Sequence, residues 1–211
     1  MYTPSHFDET RPEPLQQLLH EHPLGLLITH GPQGLDANPV PFLYDAQPGG
    51  AGVLTAHVAR ANPVWKEAAD AEVLVAFQGP QAYISPNWYP SKAENGKAVP
   101  TWNYVVVQAR GKLVVRDDVA WLRRLVTRLT QRHEATQAVP WQVSDAPADY
   151  LEAMLRGIVG IEIPLTSLRG KWKMSQNHTA ANREGVARGL RTQGAEASAV
   201  ADWVEKAAAP R

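Results

Sequence analysis

The sequence predicts a mainly β domain with helices, an α+β fold in which the strands come first and the helices gather behind them. Two observations predict it. Between residues 24 and 116, short apolar or alternating segments are separated by turns containing Gly and Pro, the spacing of antiparallel strands. Past residue 117 the hydrophobic period changes from 2 to 3.6. Antiparallel strands joined by short turns leave edges exposed in an open sheet, so roughly six or seven of them favour closure into a small barrel. A chain of 211 residues is long enough for one well-buried core and short for two. A single domain over 1–211 is therefore expected, with a helical C-terminal segment at about 179–209.

The elements follow in order. Pro14-Leu15 and QQLLHEH read as a short amphipathic helix ended by Pro23. "LGLLITH" and "LDANPVPFLYD" flank Gly31-Pro32-Gln33-Gly34 and form a hairpin, with Pro39 and Pro41 pushing the second strand toward an edge or bulge. "QPGGAG" turns the chain into the strand "VLTAH". Asn62-Pro63 is a helix-start signal, Asn as cap and Pro at the first position, for a short helix running to about Ala69. "EVLVAFQ" and "AYIS" read as strands on either side of a turn at Gly79-Pro80, and "TWNYVVVQAR" and "KLVVR" meet around Gly111. Val119, Leu122, Leu125, Val126 and Leu129 then form one apolar helical stripe behind the acids Asp117 and Asp118. A second helix begins near Pro147, and "GIVGIEIP" returns as a strand closed by Pro164. From Asn182 two Ala-rich helices are divided at Gly194.

Composition narrows the function classes. Lys plus Arg equals Asp plus Glu at 21 each, so no global field draws the chain to nucleic acid or anionic lipid. With no cysteine, disulfides, thiolate metal sites and a Cys nucleophile are excluded. No apolar run approaches the roughly 20 residues needed to span a bilayer, and MYTPSHFDET is not a signal sequence, so a cytoplasmic protein without a membrane partner is expected. The seven histidines lack metal-ligand spacing, so no metal site is expected. G-x-S-x-G, P-loop and G-x-G-x-x-G patterns are absent, so any catalysis would come from a cofactor, and no catalytic residue is assigned.

Four stretches carry candidate chemistry. "VLTAHVARANPVWKE" crowds His57, Arg60, Asn62 and Lys66 where a strand gives way to a helix; helix-start N–H groups and neighbouring cations suit an anion such as phosphate. The alternative is a solvated loop. "YISPNWYPSK" holds Trp88 and Tyr89 between prolines, and "VPTWNY" brings Trp102, Asn103 and Tyr104; each is either a stacking platform for a ring system or an aromatic plug. "RGKWKMSQNH" sets Arg169, Lys171 and Lys173 beside Ser175, Gln176 and Asn177, a set that binds phosphate or a heterocycle edge, or else merely turns the chain. Arg124, Arg128 and Arg132 recur every four residues with Arg123 beside them, a stripe that either meets DNA phosphates or is solvated. No helix-turn-helix surrounds it.

Taken together, "MYTPSHF", "HVARANPVWK", "SPNWYPSK", "VPTWNY", "KMSQNH" and "REGVARGL" resemble the PaiB family of FMN-binding negative transcriptional regulators, over nearly the whole chain. The resemblance implies an FMN-binding split β-barrel with C-terminal helices, forming a homodimer that buries FMN at its shared interface. It makes His57, Arg60, Asn62 and Lys66 phosphate and ribityl candidates. Thr55 and Ala56, with the facing Ala37, Asn38 and Pro39, would line the ribityl chain and ring by backbone contacts, and Trp88, Trp102, Asn103, Lys173, Gln176 and Asn177 would close the site. The implied function is a flavin-responsive transcriptional regulator; the alternative is a flavin-dependent oxidoreductase acting on a small planar substrate or nicotinamide. A third reading is a stable dimer with an interaction role.

Overall fold

The structure, a computed structural model, describes residues 1–207. Nine strands and seven α-helices occur among them: β1 (Asp8–Glu9), α1 (Pro12–Glu21), β2 (Leu24–Gly31), β3 (Gly34–Pro41), β4 (Leu43–Asp45), β5 (Val53–Ala59), α2 (Val64–Glu67), β6 (Glu72–Ile84), α3 (Ser91–Asn95), β7 (Thr101–Lys112), β8 (Val114–Arg116), α4 (Val119–Glu134), α5 (Ala148–Arg156), β9 (Ile158–Lys173), α6 (Ala180–Arg191) and α7 (Ala195–Lys206). Hydrogen-bonded neighbours follow the order β3-β2-β6-β7-β9-β5-β4, and β1 and β8 each pair with β9. The mainly β class with C-terminal helices is the predicted one. Residues 208 and 209, the end of the helical tail expected from sequence, lie outside the described residues.

One expected turn and one expected strand end are absent. β6 runs unbroken through Gly79-Pro80, because Gly79 serves close packing: a Cβ there would sit 2.7 Å from Leu18 Cδ1 and 3.3 Å from Val105 Cβ. β9 likewise continues past Pro164 for nine residues, to Lys173. Pro164 pairs with Val53, the first residue of β5, so its missing N–H falls at the end of that ladder, and the next amide, Leu165 N–H, donates to Gly52 O at 2.9 Å. The helix expected from Pro63 to about Ala69 is a single turn, Val64–Glu67.

The chain forms two compact units, and β6, β7 and β9 contribute residues to both. One unit comprises residues 19–77 and 109–168. Its hairpin is in the register Leu26↔Pro39, and β6 adds to β2 at Leu26↔Ala76. Leu27, Phe42, Leu54, Val75, Phe77, Leu113, Ile161 and Ile163 fill its core, Phe42 and Phe77 meeting edge to face with centroids 5.9 Å apart. α4 buries the predicted Leu122, Leu125 and Leu129, the last two against Leu43, and its first turn is capped by Asp118, which accepts from Trp121 N–H at 2.7 Å.

The other unit comprises residues 1–18, 78–108 and the chain from Arg169 onward. Ile84, Val105, Val107, Met174, Val186, Leu190, Val200 and Val204 are among its buried apolar residues, and Trp172 packs on Trp203 at 6.0 Å. α6 reaches Trp88 through two glycines. A Cβ on Gly185 would stand 2.1 Å from the Trp88 carbonyl oxygen, and one on Gly189 2.3 Å from the indole. Gly185→Ala removes a helix-weakening glycine worth about 1 kcal/mol but forces a backbone contact apart at a cost of roughly 1–3 kcal/mol. Chemical denaturation should therefore show Gly185→Ala no more stable than the parent, although the same substitution at an open helical site would stabilise.

Candidate functional site

β5 is hydrogen-bonded on both sides, to β4 at Leu43↔Thr55 and to β9 at Thr55↔Glu162 and His57↔Gly160. Alternation sends Leu54, Ala56 and Val58 into the core and puts Thr55 and His57 together on the opposite face. There the Thr55 hydroxyl and His57 Nδ1 are both buried and neither has a hydrogen-bond partner. Burial holds His57 below the ordinary histidine value. At neutral pH it is an uncharged imidazole with one nitrogen unspent, a hydrogen-bonding group rather than a counter-charge for phosphate. The Ala56 side chain is wholly buried on the core face, so only its backbone is left for the contact expected of it.

The Asn62 corner is ordered by amides. Asn62 Oδ1 accepts from Val64 N–H at 3.0 Å, capping α2 as the sequence predicts, while its Nδ2 donates to Asn38 Oδ1 at 2.9 Å. Asn38 Nδ2 in turn donates to Asp36 Oδ2 at 2.8 Å. Asn38 and Asn62 are thus brought together, whereas Pro39 lies on the exposed side of β3. With α2 only one turn long, its dipole is small. Arg60 is committed elsewhere: its guanidinium grips both oxygens of Asp117 at 2.9 and 2.6 Å and donates to the carbonyls of Arg156 at 2.7 Å and Ile158 at 3.0 Å. The hydrogen bond from Arg60 holds Asp117 below the usual carboxylate range. Lys66 makes no ion pair among the described residues; it lies 4.9 Å over the Trp65 ring and is exposed.

The other predicted residues fall in the second unit, where the strand alternation separates them. On β7, Asn103 is buried and donates to Ser175 Oγ at 3.0 Å, while Trp102 is exposed and meets Tyr83 edge to face at 6.2 Å. Consecutive strand residues cannot share a face, so Trp102 does not accompany Asn103. Trp88 is taken up by the glycine notch of α6. Gln176 bridges its own bend, donating to Trp172 O at 2.5 Å and accepting from Met174 N–H at 2.7 Å. Lys173 Nζ donates to Thr101 Oγ1 at 2.5 Å and Trp102 O at 2.6 Å. Asn103, Lys173 and Asn177 do line one cavity of about 320 Å³, together with Tyr89, Ser175 and His178. Tyr89 and Ser175 belong to the candidate stretches read from the sequence, whereas His178 is given no role there. "SQNH" named the segment, but only the left-handed backbone at Ser175, φ 63°, turns its side chain to Asn103.

Residues 1–167 match the family described as "Putative FMN-binding domain", and the chain belongs to that family. It is 33% identical to the Protease synthase and sporulation protein PAI 2 of Bacillus subtilis, over 84% of this chain and 83% of that protein. It is 36% identical to "Uncharacterized protein AN0679" of Emericella nidulans, over 87% of each. Among solved structures, it is similar to the FAD and heme binding protein from Mycobacterium smegmatis, with TM-score 0.60 and 16% identity over 86% of this chain and 80% of that one. The flavocytochrome Anf3 from Azotobacter vinelandii gives TM-score 0.59 and 12% identity over 79% and 69%. At such identities these structures establish a shared fold alone, and with the family match that fold is the split-barrel-like one of FMN-binding domains. Among the described residues no helix is long and apolar enough to cross a membrane, and no cluster of three His, Asp or Glu side chains is placed to hold a metal ion.

His57 gives a pH signature. Its folded value lies below that of the unfolded chain, so the unfolded state takes up the proton first, and stability present above pH of about 6.5 is lost as pH falls toward the folded value. Thermal unfolding between pH 7 and 5 should show the parent losing stability more steeply than His57→Gln; parallel curves would mean that the ring is freely hydrated.

Proposed function

We propose that the chain is an FMN-dependent oxidoreductase of the cytoplasm, working as a homodimer on a reduced nicotinamide or another small planar substrate. The observation that carries this is the pair of buried, unpartnered atoms on β5, Thr55 Oγ1 and His57 Nδ1, in a chain of an FMN-binding family. Leaving such groups unmade costs about 1–3 kcal/mol each, and a polyhydroxylated ligand satisfies them. Flavin ribityl hydroxyls fit that need, both donating and accepting. Asn38 and Asn62 fix the corner, and Lys66 supplies the positive charge for the phosphate; Arg60 positions the Asp117 and 156–158 backbone instead of meeting the ligand. When bound, FMN supplies two-electron transfer, and the protein supplies binding and orientation.

A homodimer is supported by an apolar sheet face. Leu24, Leu26 and Leu35 are 63%, 39% and 78% exposed, and Pro41 and Pro39 sit opposite the first two. Exposed apolar patches of this kind mark interfaces. Light scattering should give a dimer for the parent and a monomer for Leu26→Asp combined with Leu35→Asp.

A regulatory reading has its support in the relatedness to PAI 2. Direct DNA contact through α4 has two fewer uncommitted cations than the stripe offers, since Arg128 binds Asp45 at 2.5 Å and Arg132 donates to His20 O at 2.5 Å, which leaves Arg123 and Arg124. The two readings separate experimentally. FMN added to the purified protein should shift its visible spectrum and lose fluorescence saturably, and Thr55→Val should weaken binding about tenfold while unfolding at no lower temperature than the parent. Anaerobic bleaching by a reduced nicotinamide supports the oxidoreductase; a saturating but unbleached flavin would leave regulation; no saturable binding would remove both.

A further inference from the structure

The family match ends at residue 167, and the cavity of about 320 Å³ in the second unit is built mostly beyond it or on segments the flavin proposal does not use. Its lining is one-sided in chemistry. No aspartate or glutamate faces it, whereas Lys97, Lys173, Ser175, Asn177 and Tyr89 all present hydrogen-bond donors. Lys97 and Lys173 make no ion pair among the described residues, so neither positive charge is neutralised by a carboxylate.

The floor of the cavity is ordered before any ligand arrives. Tyr89 is only 5% exposed, its ring stacks on His178 at 4.9 Å and 28°, and its hydroxyl is buried and faces Ser175 without a hydrogen bond of ordinary geometry. Ser175 is held by Asn103, and Lys173 by Thr101 and the Trp102 carbonyl, which uses two of its three donors. Burial and the nearby Lys173 charge hold His178 below the ordinary histidine value, so its ring is neutral and serves as the stacking surface that fixes Tyr89. A rigid phenol with an unspent proton, beside a half-buried ammonium and a fixed serine, is an arrangement that recognises oxyanions.

From this cavity we infer a binding site for the carboxylate or phosphate group of a small acid, with Tyr89, Ser175 and Lys173 as its recognition residues. The oxyanion accepts hydrogen bonds from the Tyr89 hydroxyl and from the remaining donor of Lys173, Asn177 adds an amide donor, and Lys97 supplies charge at the exposed side. The cavity volume admits a molecule of a few carbon atoms or a phosphate group with its immediate neighbours.

The test uses the full chain. Calorimetric titration with inorganic phosphate and with malonate should give saturable binding that weakens as salt rises. Tyr89→Phe keeps the ring and its stack, removes only the unpartnered hydroxyl, and should reduce affinity about tenfold while melting no lower than the parent; Lys173→Gln should reduce it at least as much and flatten the salt dependence. FMN and riboflavin form a separate arm. If Tyr89→Phe weakens FMN as well, and phosphate competes with FMN but not with riboflavin, the oxyanion is the flavin's own phosphate. If FMN affinity is unchanged in Tyr89→Phe while phosphate or malonate binding falls, the ligand is a free small acid. Absence of saturable binding by phosphate, malonate and FMN, or equal affinities in parent, Tyr89→Phe and Lys173→Gln, overturns the inference. Thr55→Val serves as the control for the flavin proposal, so failure of one site does not count against the other.

Discussion

The side-chain alternation of a strand paired on both edges governs what each unit can do. Within its own unit β5 is clamped between β4 and β9, and a one-residue slip would move Leu54, Ala56 and Val58 out of the core and Thr55 and His57 into it. Burying three apolar side chains is worth several kcal/mol, so the register is not negotiable. The same rule on β7 buries Asn103 and exposes Trp102. Function-bearing side chains are therefore placed by the packing needs of their neighbours, and a sequence neighbour of a site residue is the residue least able to join it.

Charge follows a different logic. Equal numbers of acidic and basic groups allow the chain to consume its cations internally, and it does so at Arg60, Arg116 and Arg128, whose partners are Asp117, Glu162 and Asp45. These pairs are largely exposed and contribute little to stability. Their effect is on recognition: an arginine already gripping a carboxylate bidentately offers little to a phosphate. Among the cations given a part in anion binding, Lys66 in one unit and Lys97 and Lys173 in the other make no ion pair among the described residues.

Much of this was legible in the sequence because it is local. The hairpin at Gly31–Gly34, the Asn62 cap, the apolar stripe of α4 and the division of the tail at Gly194 all depend on residues a few positions apart. The errors came where a punctuating residue answered to a distant partner. Gly79 and Pro164 resemble turn signals, but Leu18 and Val105 explain the first and the start of β5 explains the second. Arg60 reads as an uncommitted cation because its partner Asp117 lies 57 positions away. That Tyr89, Ser175 and His178 come together was not legible, because the Ser175–Asn103 bond spans 72 positions and the Tyr89–His178 stack is likewise long-range.

The unpaired atoms link stability to binding. Thr55 Oγ1, His57 Nδ1 and the Tyr89 hydroxyl are each buried without a partner, an arrangement that costs free energy in the isolated chain. Replacing each by an apolar group of the same shape would relieve that cost and leave the surrounding packing intact. A sequence that keeps hydroxyl and imidazole at these points holds its donors and acceptors preorganised, so that a ligand need not also order the site. The stabilisation such a ligand brings then includes the desolvation cost already met by the folded chain, and both units should gain stability on binding in proportion to how fully those atoms are satisfied.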